Sequence, residues 1–267
     1  MFAKFQYVPS GGFYARELKS YLDRGNEIYK DYADQSQKSL LDFVKANGVI
    51  DGTAVQSHWF SIKKADVFIS HSHKDIDLVK GFAGWLYDKF GLTAFIDSCV
   101  WGYCDDLLKM IDDRYCKNDN SNTYNYKLRN YSTSHVHMML SSALSEMIDN
   151  SECIVFMNTP NSISLQTELQ NAAQNVSYTT ISPWIYHELS AAAMMRTTLP
   201  KRRSFLTEYY SHGYSHASSP MRISYDVNRQ LLEFLPLTDS ILEEWATNHD
   251  INTHGLDELY AQFELFN

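Results

Sequence analysis

Residues 65–75 read ADVFISHSHKD, an apolar run that turns abruptly polar. Val67, Phe68 and Ile69 are typical of a buried strand. The polar residues that follow at 70–75 include two histidines, two serines, a lysine and an aspartate. A strand that ends this way predicts either a functional strand edge or the start of a capped helix.

The residues that follow alternate between helical and strand patterns. A helix is predicted after Asp75, with apolar residues at helical spacing and a stop at Gly91. Residues 92–96 (LTAFI) and 153–157 (CIVFM) predict two more strands, and a helix lies before each. This order predicts an α/β fold with a flavodoxin-like parallel sheet and helices on both faces. The apolar face of the first helix consists of Val79, Phe82, Ala83, Leu86 and Phe90.

Three regions are predicted along the chain. Residues 1–60 form a helical N-terminal extension, and residues 236–267 form a helical C-terminal extension. Residues 61–235 form the α/β domain, with polar insertions at about 117–135 and 161–182. Within it, Ser182 and Pro183 are the N-cap and first residue of a helix. Residues 222–227 are a weaker strand candidate.

Composition limits the partners and the location. The chain has 267 residues, 44% of them hydrophobic, and a net charge of -9. A packed core is expected, and nucleic acid is not an expected partner. Four cysteines without a C-x2-C pair, no secretory leader and no apolar run of membrane length favour a soluble cytoplasmic protein without a membrane partner.

The carboxyl ends of parallel strands meet at one edge of the sheet. Residues 70–73, 97–98 and 158–159 are therefore predicted to share this rim. One alternative is a metal-dependent hydrolase, because His71, His73 and Asp75 have the spacing of the metallo-β-lactamase signature H-x-H-x-D-H. Ile76 stands where that signature has its last histidine, and no other histidine lies in a matching motif, so no metal is predicted. The simplest alternative is that Ser72 or Asp75 caps the helix.

Taken in order, these motifs resemble a TIR (Toll/interleukin-1 receptor) domain. The resemblance rests on DVFIS with its polar loop, on the second strand ending at Asp97, on residues 153–161, and on S-x-W-x-x-x-E at Ser182, Trp184 and Glu188. It covers roughly residues 62–230, interrupted by the two insertions. It implies the TIR fold, and the chain resembles in particular the bacterial TIR NADases of Thoeris-type anti-phage defence.

The resemblance implies an enzyme that cleaves the nicotinamide–ribose bond of NAD, which is a substrate and not a cofactor. The product is an ADP-ribose-derived signal, cyclic or conjugated, that a downstream effector senses. Glu188 falls on the family's catalytic glutamate, although a solvated helix glutamate is the ordinary alternative. A homo-oligomer or another TIR–TIR assembly is expected. The expected substrate-binding residues are Ser70, His71, Ser72, Lys74, Asp97, Trp101 and Trp184.

Two of these residues have alternatives. For Asp97, a role in capping or hydrogen-bonding its own loop is expected ahead of a direct role in the reaction of the substrate. Trp101 stacks on a substrate ring or anchors its loop. A non-catalytic TIR interaction module, which assembles through a loop at 97–106, is the main alternative function.

Overall fold

The structure is a computed structural model of the 267-residue chain. It describes residues 1–33, 40–60, 64–118, 122–170, 173–200 and 224–266. At 31–33, 40–41, 99–103, 166–170 and 173–176 only the backbone is described.

The described elements are eight strands and ten α-helices, joined by short 3-10 turns and one π-helical turn at Asp112–Cys116. The strands are β1 (Ala3–Tyr7), β2 (Val67–Ser70), β3 (Ala94–Ile96), β4 (Cys153–Met157), β5 (Ser164–Gln170), β6 (Ala173–Thr180), β7 (Tyr225–Asp226) and β8 (Leu235–Leu237). The helices are α1 (Gly12–Arg16), α2 (Leu22–Ala33), α3 (Gly52–Trp59), α4 (Ile76–Phe90), α5 (Ser98–Ile111), α6 (Tyr126–Asn150), α7 (Pro183–Met194), α8 (Asn228–Leu231), α9 (Asp239–Asn248) and α10 (Gly255–Gln262).

A five-stranded parallel sheet forms the centre of the fold, in the order β3-β2-β4-β1-β8. The first three positions follow a flavodoxin-like sheet, whose order is 2-1-3-4-5. In chain order, the fourth position would belong to the next parallel strand after β4. Here the N-terminal strand β1 occupies it, hydrogen-bonded to β4 on one side and β8 on the other.

The two faces of this sheet are covered by different helices. Phe68, Phe95 and Phe156 pack on one face with α3, α5, α6 and α7. Phe5, Ile69 and Val155 pack on the other with α1, α4, α9 and α10. Successive strand residues point to opposite faces, which is why apolar residues are continuous along β2 and β4. The predicted parallel sheet with helices on both faces is confirmed.

Helix α2 lies outside this layer, against α4. The two backbones approach closely at Gly25 and Gly84, and Gly81 of α4 faces the carbonyl oxygen of Leu18 in the 3-10 turn before α2. A Cβ at Gly25 would lie 1.9 Å from the Lys80 carbonyl oxygen, and one at Gly84 would lie 2.3 Å from the Tyr21 carbonyl oxygen. Only glycine fits such a crossing.

Most predicted elements in the middle of the chain are confirmed. Strands β2 and β4 lie where they are predicted, and β3 is the C-terminal part of residues 92–96. Gly91 ends α4 with φ +66°, and Ser182 caps α7 by accepting a hydrogen bond from the Ile185 N–H. The five apolar residues predicted for α4 are all buried, and α9 and α10 match the predicted C-terminal helices.

The N-terminal prediction is wrong for residues 3–7, which form a central strand instead of part of a helical extension. Its alternation of buried Ala3, Phe5 and Tyr7 with half-buried Lys4 and Gln6 has the strand period of two. Residues 40–43 form a 3-10 turn, although α2 is helical as predicted. Residues 235–237, at the predicted start of the C-terminal extension, form the short edge strand β8.

The polar insertions are also more regular than predicted. Residues 126–135 already belong to α6, and most of 161–182 forms the antiparallel β5–β6 hairpin. Residues 225–226 of the weak strand candidate pair with β6 in this second sheet, and residues 222–223 lie outside the described residues. The predicted loop at 97–106 is helical from residue 98 onward, as the first part of α5.

The longest helix, α6, has 25 residues. Neither it nor any other helix in the described part of the chain is long and apolar enough to span a membrane.

Candidate functional site

The candidate site lies at the carboxyl ends of β2 and β3, under α7. Ile69 pairs with Ile96, so Ser70 and Asp97 are the next neighbours along these two strands. Both lie on the sheet face that carries α7. Glu188, in the second turn of α7, reaches down to the same point.

The Ser70 hydroxyl donates a hydrogen bond to Glu188 across 2.6 Å, from Oγ to Oε2. Both side chains are completely buried, at 0% exposure. The second Glu188 oxygen, Oε1, is also buried, and no hydrogen-bond donor of the described residues reaches it. The carboxyl group is therefore half-satisfied, which is unusual for a buried polar group.

His71 and Asp97 form a second buried pair beside Glu188. His71 Nδ1 lies 2.6 Å from Asp97 Oδ1, and His71 Nε2 lies 3.1 Å from Ser98 Oγ. The four side chains of His71, Asp97, Ser98 and Glu188 are all at least 95% buried. Asp97 does not cap α5 with its side chain. Its carboxylate instead faces the histidine and Glu188.

These contacts shift the pKa values of Glu188 and His71. Burial raises the pKa of Glu188 well above its ordinary value, the charge of Asp97 raises it further, and the Ser70 hydrogen bond offsets part of the rise. Burial tends to lower the pKa of His71, but the Asp97 carboxylate more than compensates, and the net shift is upward. Burial and the Asp97 charge thus both favour the neutral acid form of Glu188 over its carboxylate.

The start of α4 forms a second, more open part of the rim. Asp75 accepts hydrogen bonds from Thr159 Oγ1 and Asn161 Nδ2, both at 2.6 Å, which joins α4 to the loop after β4. Ser72 and Asp75 occupy the N-cap positions of the 3-10 turn at His73–Asp75 and of α4, as predicted, but neither side chain makes a capping hydrogen bond. Ser72 is half-buried, and Lys74 is exposed beside the first turn.

The two tryptophans are placed differently. Trp184, half-buried near the start of α7, makes edge-on ring contacts with His137 of α6 and His187. Its assigned role in substrate binding remains a prediction. Trp101 belongs to α5, and its side chain lies outside the described residues.

A metal site at the histidine cluster has no support in the geometry. The His71 ring is engaged with Asp97 and Ser98, His73 is exposed, and Asp75 bonds Thr159 and Asn161. Among the described residues, no three His, Cys, Asp or Glu side chains are grouped to hold a metal ion.

Gln6 is a rim residue that the sequence analysis missed. Gln6 and Ser70 both pair with Phe156, from opposite sides, so the three residues form one row across the sheet. Its Oε1 is buried without a hydrogen-bond partner in the described structure. The alternation of Ala3, Phe5 and Tyr7 could have identified this strand, but not its place in the sheet.

The arrangement places the buried carboxyl group of Glu188, the hydroxyl donor of Ser70 and the buried pair of His71 and Asp97 at the carboxyl edge of a parallel sheet. Ligands of open α/β sheets bind at this edge. A strongly shifted carboxyl at such a place is a candidate catalytic group. Comparisons with protein-family models, curated proteins and solved structures find no match for this chain.

Proposed function

We propose that this chain is a TIR-like enzyme that cleaves the bond between nicotinamide and ribose in NAD, with Glu188 as its catalytic carboxylate. The observation that supports this most directly is the 2.6 Å contact between Ser70 and Glu188. It joins the two motifs of the resemblance, which are 118 residues apart in sequence. A solvated surface glutamate, the ordinary alternative for a helical Glu, does not fit its complete burial.

One carboxylate is chemically sufficient for this reaction. The bond between ribose C1′ and the pyridinium nitrogen breaks, and nicotinamide leaves as a neutral molecule with the bonding electron pair. No general acid is needed for that departure, whereas ordinary glycosides use two carboxyl groups. The Glu188 carboxylate would stabilise the oxocarbenium ion that develops on the ribose. Water or a hydroxyl of an acceptor then adds to C1′ and loses a proton.

The rest of NAD would extend along the rim towards α4. The first N–H groups of a helix attract anions, and here no side chain of Ser72 or Asp75 caps them. The exposed Lys74 adds a positive charge beside the diphosphate position. His71 and Asp97 contact each other. We therefore propose that they position Glu188, and that they contribute less to direct contact with the substrate.

The complete burial of Glu188 requires the site to open before NAD reaches it. This requirement agrees with an enzyme that is inactive until it is triggered or assembled with a second copy. We propose that the product is a cyclic or conjugated ADP-ribose signal for a separate effector in bacterial antiviral defence, as the TIR resemblance implies. A cytoplasmic location is part of the same proposal.

Nicotinamide release from NAD by the purified chain tests this function, with and without a phage-infected cell extract as trigger. We expect Glu188→Gln to lower the rate by about 100-fold or more, because the neutral amide cannot stabilise a cation as a carboxylate does. Glu146→Gln, at an exposed position of α6, is the matched control and should retain the rate. Mass spectrometry of the nucleotide product identifies it as linear, cyclic or conjugated.

A non-catalytic assembly module is the second candidate, and the exposed side of α6 favours it. Tyr126, Tyr131 and Met138 are large apolar residues of that helix, and each is more than 60% exposed. If triggered wild-type protein releases no nicotinamide, and association of the chain is unaffected by Glu188→Gln, this candidate replaces the enzyme.

A further inference from the structure

We propose that Asp97, oriented by His71, is a positioning residue that shares a proton with Glu188 and so keeps the resting site inactive. The buried contacts of Glu188, Asp97 and His71 carry this inference. Its consequence for catalysis rests on the proposed function, but the shared proton itself does not.

One carboxyl oxygen of Glu188 has no hydrogen-bond partner among the described residues. Oε2 accepts the Ser70 hydrogen bond, and Oε1 is buried without a donor from the described residues. Asp97 is the neighbour of Ser70 across β2 and β3, on the sheet face that α7 covers, and its carboxyl group interacts with that of Glu188. Two buried carboxylates in contact repel each other, and neither can donate. One proton between them removes the repulsion and gives Oε1 its missing hydrogen bond.

The position of His71 beside Asp97 decides which of the two acids is neutral. Its Nδ1 lies 2.6 Å from Asp97, so a protonated imidazole stabilises the charged form of Asp97. Ser98 contacts the other ring nitrogen at 3.1 Å and fixes the ring. Glu188 has no such cationic partner among the described residues, since its contacts are with Ser70 and Asp97. The proton therefore resides mainly on Glu188.

Other titratable groups near this network act on it from further away. Asp75, at the start of α4, adds a favourable charge interaction with His71. His187, the neighbour of Glu188 in α7, points to α6, where its Nε2 lies 3.1 Å from the Ser141 carbonyl oxygen. The proton affinities of the two carboxyl groups are thus set mainly by His71, which contacts Asp97, and by the burial of Glu188.

The proton must leave before Glu188 can act as a carboxylate. When the site opens, Glu188 loses this proton to solvent water, and its O–H bond electrons remain on the carboxylate. The cationic nicotinamide ribose of NAD would favour this charged form. The resting structure thus holds the catalytic group in the form that cannot stabilise an oxocarbenium ion.

Infrared spectroscopy tests the shared proton without any activity measurement. A protonated carboxylic acid has a carbonyl band that a carboxylate lacks. The band that Glu188→Gln removes from the wild-type spectrum belongs to Glu188, and its loss with rising pH gives the titration midpoint. We expect this band in the wild-type protein at pH 7.

Two variants should move the midpoint in opposite directions. Asp97→Asn removes the neighbouring charge and offers an amide donor to Oε1, so the midpoint falls by about one pH unit or more. His71→Gln leaves the charge of Asp97 without its cation, so the midpoint rises. Asp112→Asn changes a buried aspartate bound to Ser132 and Arg129 away from the site, and it should leave the midpoint unchanged. Circular dichroism of each variant verifies the fold.

A wild-type protein without the band at pH 7, or an unmoved midpoint in both Asp97→Asn and His71→Gln, would overturn the shared proton. Failure of the proposed function is a different result: the band and its shifts are present, but no variant or wild-type protein consumes NAD. If NAD is consumed, the rising limb of the pH–rate profile should move to lower pH in Asp97→Asn. A role of Asp97 in folding alone would lower the rate at every pH without moving that limb.

Discussion

Glu188 stabilises the fold less at high pH than at low pH. A glutamate in the unfolded chain ionises near pH 4.3, but burial and Asp97 raise the pKa of Glu188 in the folded protein. Between these two pKa values the folded state binds more protons than the unfolded state. The free energy of unfolding therefore falls as the pH rises through this window. His71, whose folded pKa is also raised, adds a fall of the same sign.

Glu188→Gln should remove the first of these contributions. The amide stays neutral, accepts the Ser70 hydrogen bond and donates to Asp97. We expect the variant to be about 1–2 kcal/mol more stable than wild type at pH 8, with a smaller difference at pH 5. Urea unfolding at both pH values measures it, with Glu146→Gln as the exposed control. Parallel curves for wild type and Glu188→Gln across this range would show that Glu188 is ionised in the folded state.

At the scale of the elements, the crossing of α2 and α4 sets a strict limit on side-chain size. Glycine in a helix costs roughly 1 kcal/mol relative to alanine, so its presence at Gly25, Gly81 and Gly84 needs a structural reason. The close backbone approach supplies that reason. The rim residues 72–75 lie immediately before α4. A shift of α4 would therefore disturb the hydrogen bonds of Asp75 to Thr159 and Asn161 in the loop after β4.

Gly25→Ala and Gly84→Ala should each destabilise the protein by about 3 kcal/mol, since the backbone carbonyls that face them cannot move aside like a flexible side chain. Gly12→Ala is the matched control. The nearest atom to its added Cβ is Ser10 Oγ at 3.6 Å, an ordinary contact, so stability should be unchanged or slightly higher. Chemical denaturation measures all three. A loss below 1 kcal/mol at both Gly25 and Gly84 would mean that the two helices are further apart in solution.

Elements with a clear local period were predictable from the sequence. Strand β4 is apolar throughout, β2 is apolar up to Ser70, and α4 shows helical spacing with a glycine stop. Strand β1 was missed even though its buried and half-buried residues alternate, because five residues beside helical patterns carry a weak signal. β8 has only three residues, and one of them is a proline. A proline is compatible with an edge strand, but so short a segment gives no clear strand signal in the sequence.

At the scale of the whole molecule, the site could be predicted only in part. Ser70, His71, Asp97 and Glu188 meet because β2 and β3 are adjacent and α7 covers their ends. Strand adjacency places the first three on one rim. The pairing of Asp97 with His71, and its contact with Glu188, depend on side-chain directions that no spacing rule encodes.

The N-terminal strand β1 connects the N- and C-terminal parts of the chain, because it is hydrogen-bonded to β4 on one side and to β8 on the other. Phe5 is 0% exposed, and its ring lies 5.3 Å from that of Phe263, beyond the end of α10. Tyr7 donates a hydrogen bond to Asp239 at the start of α9, across 2.8 Å. The C-terminal helices are therefore attached partly through β1, in addition to the contact of Trp245 with Phe90 of α4.

Phe5→Ala should reduce the free energy of unfolding by about 3–5 kcal/mol, the usual range for truncating a buried phenylalanine. Guanidinium unfolding measures the loss, and Ile251→Ala, at a side chain 90% exposed, should leave stability within about 0.5 kcal/mol of wild type. The substitution should also increase hydrogen exchange in α9 and α10, because β8 pairs with β1 and these helices contact it. A Phe5→Ala protein as stable as wild type, with unchanged exchange there, would place β1 outside the folded sheet.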